Sequence, residues 1–83
     1  MDSKYKENIA KNITKYFDLT EKKRADLAAR LDTTVAAISR FCLSQSTPTV
    51  DQLVVIANFF NVSLNDLFGI KENSNLSDDE VKR

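Results

Sequence analysis

Apolar residues recur along this chain at the spacing of helix faces rather than of strands. Ile9, Ile13, Tyr16 and Phe17 stand three or four positions apart, which gathers them on one side of a first helix, with Asp2 or Ser3 placed to cap its start. Asp18 to Lys22 reads as a loop, although Thr20 offers an alternative cap for the next helix one turn early. Leu27, Ala28 and Leu31 mark the inward stripe of a short second helix, which Asp32-Thr33-Thr34 then interrupts. Aspartate takes a left-handed backbone turn at lower cost than most residues, and the Thr34 hydroxyl can cap a third helix. That helix is predicted from about Val35 to Leu43, with Ile38 and Phe41 on its inner face, and residues 44–48 form a loop through which Pro48 keeps any helix from running. Thr49 caps a fourth helix to about Phe60, Asn61 suits the left-handed stop, Ser63 caps a last turn or two over Leu64 to Phe68, and Gly69 ends it. Beyond, Ser77 with Glu80 spells a capping box for a short extra helix from Asp78, with only Val81 to bury.

Length and composition narrow the picture. Eighty-three residues provide one modest core, here assigned to residues 1–69, with 70–83 as an acidic tail. One Gly and one Pro leave little turn chemistry for hairpins, so the fold class is all-α. No histidine is present and no metal-ligand cluster or Gly-rich phosphate loop can be found, so no catalytic residue, metal or cofactor is assigned and enzyme function is not expected. A single cysteine suits a reducing compartment. The charged start is unlike a signal peptide, and the longest apolar run, Leu53 to Ala57, falls far short of a membrane span, so a soluble cytoplasmic protein is expected.

Twelve basic and twelve acidic residues cancel, which is not the usual footprint of a nucleic-acid binder. Their distribution is uneven. Residues 1–47 carry nine Lys/Arg against six Asp/Glu, and residues 48–83 carry three against six, a dipole able to turn one face toward phosphate.

Two short helices joined by a tight turn, then a loop and two more helices, make an architecture in which the second of the pair enters a DNA major groove. On Leu27-Ala28, Leu31, Thr33-Thr34, Ile38-Ser39, Phe41, Pro48, Leu53, Ile56-Ala57, Phe60, Val62-Ser63 and Asp66-Leu67, the chain resembles the phage Cro/repressor family, also termed Xre-like. The match runs without a gap from about Asn12 to Phe68. It implies a five-helix, lambda-repressor-like DNA-binding domain containing a helix-turn-helix. The chain departs from the family pattern at three positions: Asp32 replaces the usual turn Gly, Ser44 the Gly that often ends helix three, and Cys42 an acidic residue near that end.

The resemblance carries over Val35, Ala36, Ser39 and Arg40 as base-facing positions, and Arg24 as the first residue of helix two that braces phosphate and the first base contact. An arginine fork can grip guanine O6 and N7 together, while Val35 and Ala36 offer apolar surface to a thymine methyl and Ser39 a sequence-tolerant hydrogen bond. The competing reading of Arg40 is an ordinary surface arginine. Phosphate contacts are expected from Lys23, Thr34, Ser44, Gln45, Ser46 and Thr47, together with the amides opening helices two and three. Lys4, Lys6, Lys11 and Lys15 read as plain helix surface, and Cys42 as a small buried hydrophobe rather than a redox switch.

Helix four is apolar over more than one stripe. With Leu53, Ile56, Ala57 and Phe60 in the core, Val54, Val55 and Phe59 are left, with Leu64, Phe68 and Ile70 near them in sequence, for a homodimer contact. Such a dimer would set two recognition helices about 34 Å apart on a palindromic operator in double-stranded DNA. The alternative is that the tail after Gly69 covers the patch within one subunit. Two functions stay open on sequence alone. One is a transcriptional regulator with duplex DNA as partner and no small-molecule ligand. The other is the same fold used against protein, as an antitoxin, anti-repressor or adaptor.

Overall fold

Among the described residues, 3–70 of a computed structural model, the chain forms five helices connected by short turns: α1 (Ser3–Thr20), α2 (Arg24–Arg30), α3 (Val35–Cys42), α4 (Val50–Phe60) and α5 (Leu64–Phe68). The expected cap at Asp2, the extra helix from Asp78 and the fold-back of the tail lie outside the described residues. Ser3 is already within the helix.

Each helix is followed by a residue in the left-handed region, and the sequence shows why at most of them. Asp32 (φ 55°), Asn61 (φ 60°) and Gly69 (φ 76°) are residue types that tolerate this turn, and Ser44 (φ 62°) occupies the place where the Cro-type pattern has glycine. At these four, the reversal lets a following amide reach back to an orphan carbonyl: Thr33 N–H to Ala28 O at 2.9 Å, Gln45 N–H to Arg40 O at 2.9 Å, Val62 N–H to Ala57 O at 2.9 Å and Ile70 N–H to Asn65 O at 2.9 Å. Helix starts are equally explicit. The Thr34 hydroxyl accepts from Ala37 N–H, and Thr49 with Gln52 and Ser63 with Asp66 form complete capping boxes on α4 and α5.

The first loop is shorter than the sequence suggests. α1 continues through Asp18 and Leu19 to Thr20, whose hydroxyl donates to Tyr16 O at 2.6 Å, and Glu21 (φ 58°) turns the chain. Thr20 therefore closes the first helix instead of capping the second, and Lys23 stands at the N-cap of α2 with no side-chain cap bond.

The core gathers Ile9, Ile13 and Phe17 of α1, Leu27 and Ala28 of α2, Ile38 and Phe41 of α3, Leu53, Ile56, Ala57, Phe59 and Phe60 of α4, and Leu67 of α5, with Leu31 and Cys42 half-buried against it. α1 packs on α3 and α5, α2 on α3 and α4, and α4 on α5. Small Ala28 and fully buried Ile38 belong to this one cluster, so α2 and α3 are held as a pair by the same apolar contacts that close the domain. Two asparagines tie α1 to the end of α5. Asn8 Nδ2 donates to Phe68 O at 3.0 Å and Asn12 Nδ2 to Leu67 O at 2.9 Å, satisfying terminal carbonyls of that helix. Nearby, Tyr16 packs on the Phe60 ring at 5.7 Å, and burial, with the Asp66 charge, pushes its phenol above the usual tyrosine range. Among the described residues no helix is long and apolar enough to cross a membrane.

Candidate nucleic-acid interface

α3 is pinned by one face and open on the other. Ile38 and Phe41 are buried, whereas Val35, Ala36 and Arg40 are exposed and Ser39 is half-buried at the edge. Nothing in the described chain seals the outer side of this helix. Its position is fixed from below by the core, and its start is fixed by Thr34. Because that cap takes the Ala37 amide and the Thr34 carbonyl takes the Ile38 amide, the Val35 and Ala36 amides have no intrahelical partner at the open end of the helix.

The flanking polar residues fall on both sides of α3. Lys23 and Arg24 open α2, both exposed, and Ser44, Gln45 and Ser46 are exposed in the turn after α3, with Thr47 half-buried. The turn is ordered rather than loose. Ser44 N–H donates to Phe41 O, and the Gln45 and Ser46 amides converge on Arg40 O at 2.9 and 3.4 Å. Buried Pro48 anchors its far end.

Two features of this surface escape a reading of periodicity. The Arg24 guanidinium is laid over the Phe17 ring, 5.1 Å from its centroid, and reaches Cys42 Sγ at 4.0 Å. Arg24, Ser39, Cys42 and Leu43 thereby line one groove. Lys11, read as plain helix surface, shares a second, more apolar groove with Glu7, Ala10, Thr14, Cys42, Leu43 and Ser44, which brings a cation of α1 beside the exit of α3. Packing of α1 and α2 against α3 produces both, and no local sequence signal carries it. Leu43, at the end of the outer face of α3, is 65% exposed, as an outward position on that helix should be.

The apolar set expected at a dimer contact is divided by the structure. Phe59 is a correction: it is only 7% exposed and lies in the core, 6.3 Å from the Phe17 ring and 5.1 Å from that of Phe60. Lys22 and Arg30 place their cations 5.1 and 5.6 Å from its ring and so cover what α1 leaves open. α4 is buried on more than one side because α2 and α5 both pack on it. Leu64 and Phe68 are half-buried against the core, Val55 is half-buried, and Val54 and Ile70 are each 43% exposed.

A helix pair with a buried hinge of small and branched residues, a capped second helix and an uncovered outer face defines a DNA-binding domain of the helix-turn-helix class. Residues 10–67 match the model of the helix-turn-helix family of the Cro/repressor, Xre-like type, and the chain belongs to that family of DNA-binding regulatory domains. No curated protein and no solved structure matches the chain.

Proposed function

We propose that this protein is a sequence-specific transcriptional regulator, acting as a repressor, whose α3 lies in the major groove of an operator. The observation that carries the reading is the free outer face of α3, where Val35, Ala36 and Arg40 stand in solvent above a buried Ile38–Phe41 stripe. Arg40 reads guanine through its planar fork, Val35 and Ala36 meet thymine methyls, and Ser39 and Arg24 complete the base contacts. Lys23, Thr34 and the turn Ser44 to Thr47 hold phosphates on either side and set the register. Residues 1–69 are the binding unit and 70–83 its acidic extension. A two-fold pair formed through Val54, Val55, Leu64, Phe68 and Ile70 would match a palindromic site.

Selection of bound sequences from a random duplex pool tests this directly. The expected result is a palindromic consensus with half-sites about one helical turn apart, in which Arg40→Ala relaxes preference at one position of each half-site. Failure to enrich any sequence, or a uniform loss on every sequence from Arg40→Ala, overturns the base-reading role.

A second reading rests on the exposed Val35 and Leu43, 46% and 65% accessible, and on the zero formal charge of the whole chain. Both suit a protein partner docked on the same face. In that case duplex DNA is not retained even at low salt, and the face is read by apolar contact.

A further inference from the structure

Arg24 differs from the other cations of the binding surface in being held by the protein. Its guanidinium rests on the Phe17 ring, which is itself wedged at 4.9 Å against Phe60 and is 4% exposed, so the platform is fixed by the core. Its Nη2 donates a long contact to Cys42 Sγ at 4.0 Å, from the last turn of α3. The same groove includes Ser39, one of the residues assigned to the DNA face. One side chain from α2 is thus suspended between α1 and α3.

The chemistry of that suspension matters. An arginine has five N–H donors and no acceptor. A carboxylate at position 42 would take two of those donors in a bidentate, charge-neutralising pair and draw the fork inward. A thiol accepts one weak contact and leaves the charge and the remaining donors uncommitted. A stacked guanidinium is also restricted before any ligand arrives, so less side-chain freedom is lost on binding.

We propose that Cys42 and Phe17 are positioning residues for DNA recognition: they hold Arg24 beside Ser39 so that its free donors read a base at the edge of the site contacted by α3. Cys42 then determines specificity without touching DNA. This inference rests on the major-groove reading given above and assigns a partner to the residue that departs from the family's acidic position.

The test uses the full chain, the operator selected by the unaltered protein, and every single-base variant of that operator. Arg24→Ala is expected to reduce preference roughly tenfold or more at one position per half-site. Cys42→Glu should lose preference at that same position and no other, Cys42→Ser should retain most of it, and Cys42→Glu added to Arg24→Ala should cause no further loss. Preference left intact by Cys42→Glu, equal weakening at every position, or an undiminished Cys42→Glu effect when residue 24 is alanine would each overturn the proposal. Side-chain NMR of the unaltered, DNA-free protein supplies a second measurement. Ring-current shielding of the Arg24 δ and ε protons by Phe17 is expected, and unshifted resonances refute the preorganisation. If the unaltered protein selects no operator, the major-groove reading falls and this inference with it. If an operator is selected but Arg24→Ala changes no base preference, this inference falls together with the Arg24 base contact, while the major-groove reading by α3 stands.

Discussion

Replacing Phe59 separates a core role from an interface role by magnitude and by concentration dependence. The ring is 7% exposed, touches the Phe17 and Phe60 rings edge-on and lies beneath the Lys22 and Arg30 cations. Truncating a buried phenylalanine to alanine costs about 3–5 kcal/mol in lost transfer energy and cavity formation. A domain of this size has a total stability of roughly 4–10 kcal/mol, at about 0.05–0.15 kcal/mol per residue. Phe59→Ala should therefore remove roughly a third or more of that stability. Phe59→Leu, which keeps most of the apolar volume, should cost roughly 1–2 kcal/mol. With a urea dependence of about 1 kcal/mol per molar for a small domain, that is a drop in the midpoint of about 1–2 M. Urea titration followed by far-UV circular dichroism at two protein concentrations measures it. The midpoint loss should be the same at both concentrations. A Phe59→Leu protein with an unchanged unfolding midpoint but weakened self-association in sedimentation would refute the core assignment and return Phe59 to an intersubunit contact.

The helix ends and Tyr16 yield further expectations. Ser44→Gly removes a left-handed serine (φ 62°) at the exit of α3 and should raise stability by roughly 0.5–1 kcal/mol, the strain relief exceeding glycine's entropy cost; a lower urea midpoint contradicts it. Gly69→Ala places a Cβ 3.2 Å from Asn8 Nδ2 on a residue with φ 76° and should cost about 1–2 kcal/mol, with the Asn8 bond to Phe68 O disturbed; an unaltered thermal midpoint contradicts it. Tyr16 titrates above its unfolded value of about 10, so the neutral phenol is favoured in the fold. The associated stability is fully present below the unfolded pKa and is lost as pH rises through the folded one. In a Tyr5→Phe background, ultraviolet titration should place the Tyr16 midpoint above that of a free tyrosine, and Asp66→Asn should lower it; a midpoint at or below the free value contradicts the assignment.

How much was legible in the chain depended on whether a signal was local. The turn between the paired helices was readable because Asp32 is a residue type that enters the left-handed region and Thr34 is a capping type, and both do so here. The same holds for Asn61, Ser63 and Gly69. Glu21 takes the same backbone conformation with no such advertisement, which is why the end of α1 fell later than the polar run from Asp18 implied. The inward stripes of α2 and α3 were visible as periodicity. The division of apolar residues on α4 was not, since periodicity reports that a helix has more than one apolar side but not which neighbour covers it. Phe59 is covered by α1 and by the side chains of Lys22 and Arg30, contacts far apart in sequence. The stacking of Arg24 on Phe17 and the tie from Asn8 and Asn12 to α5 join elements distant along the chain, and nothing beside these polar residues in the sequence points to their partners.

Binding to a mixed-sequence DNA duplex, followed by fluorescence polarisation across a series of salt concentrations, tests the central claim most directly. Measurable binding at low salt is predicted, with the logarithm of the association constant falling linearly with the logarithm of salt as counterions are released, and Lys23→Ala should flatten that slope by about 1. An unaltered protein that does not bind duplex DNA at low salt, or binds with an affinity indifferent to salt, would contradict the assignment of the α2–α3 surface to DNA.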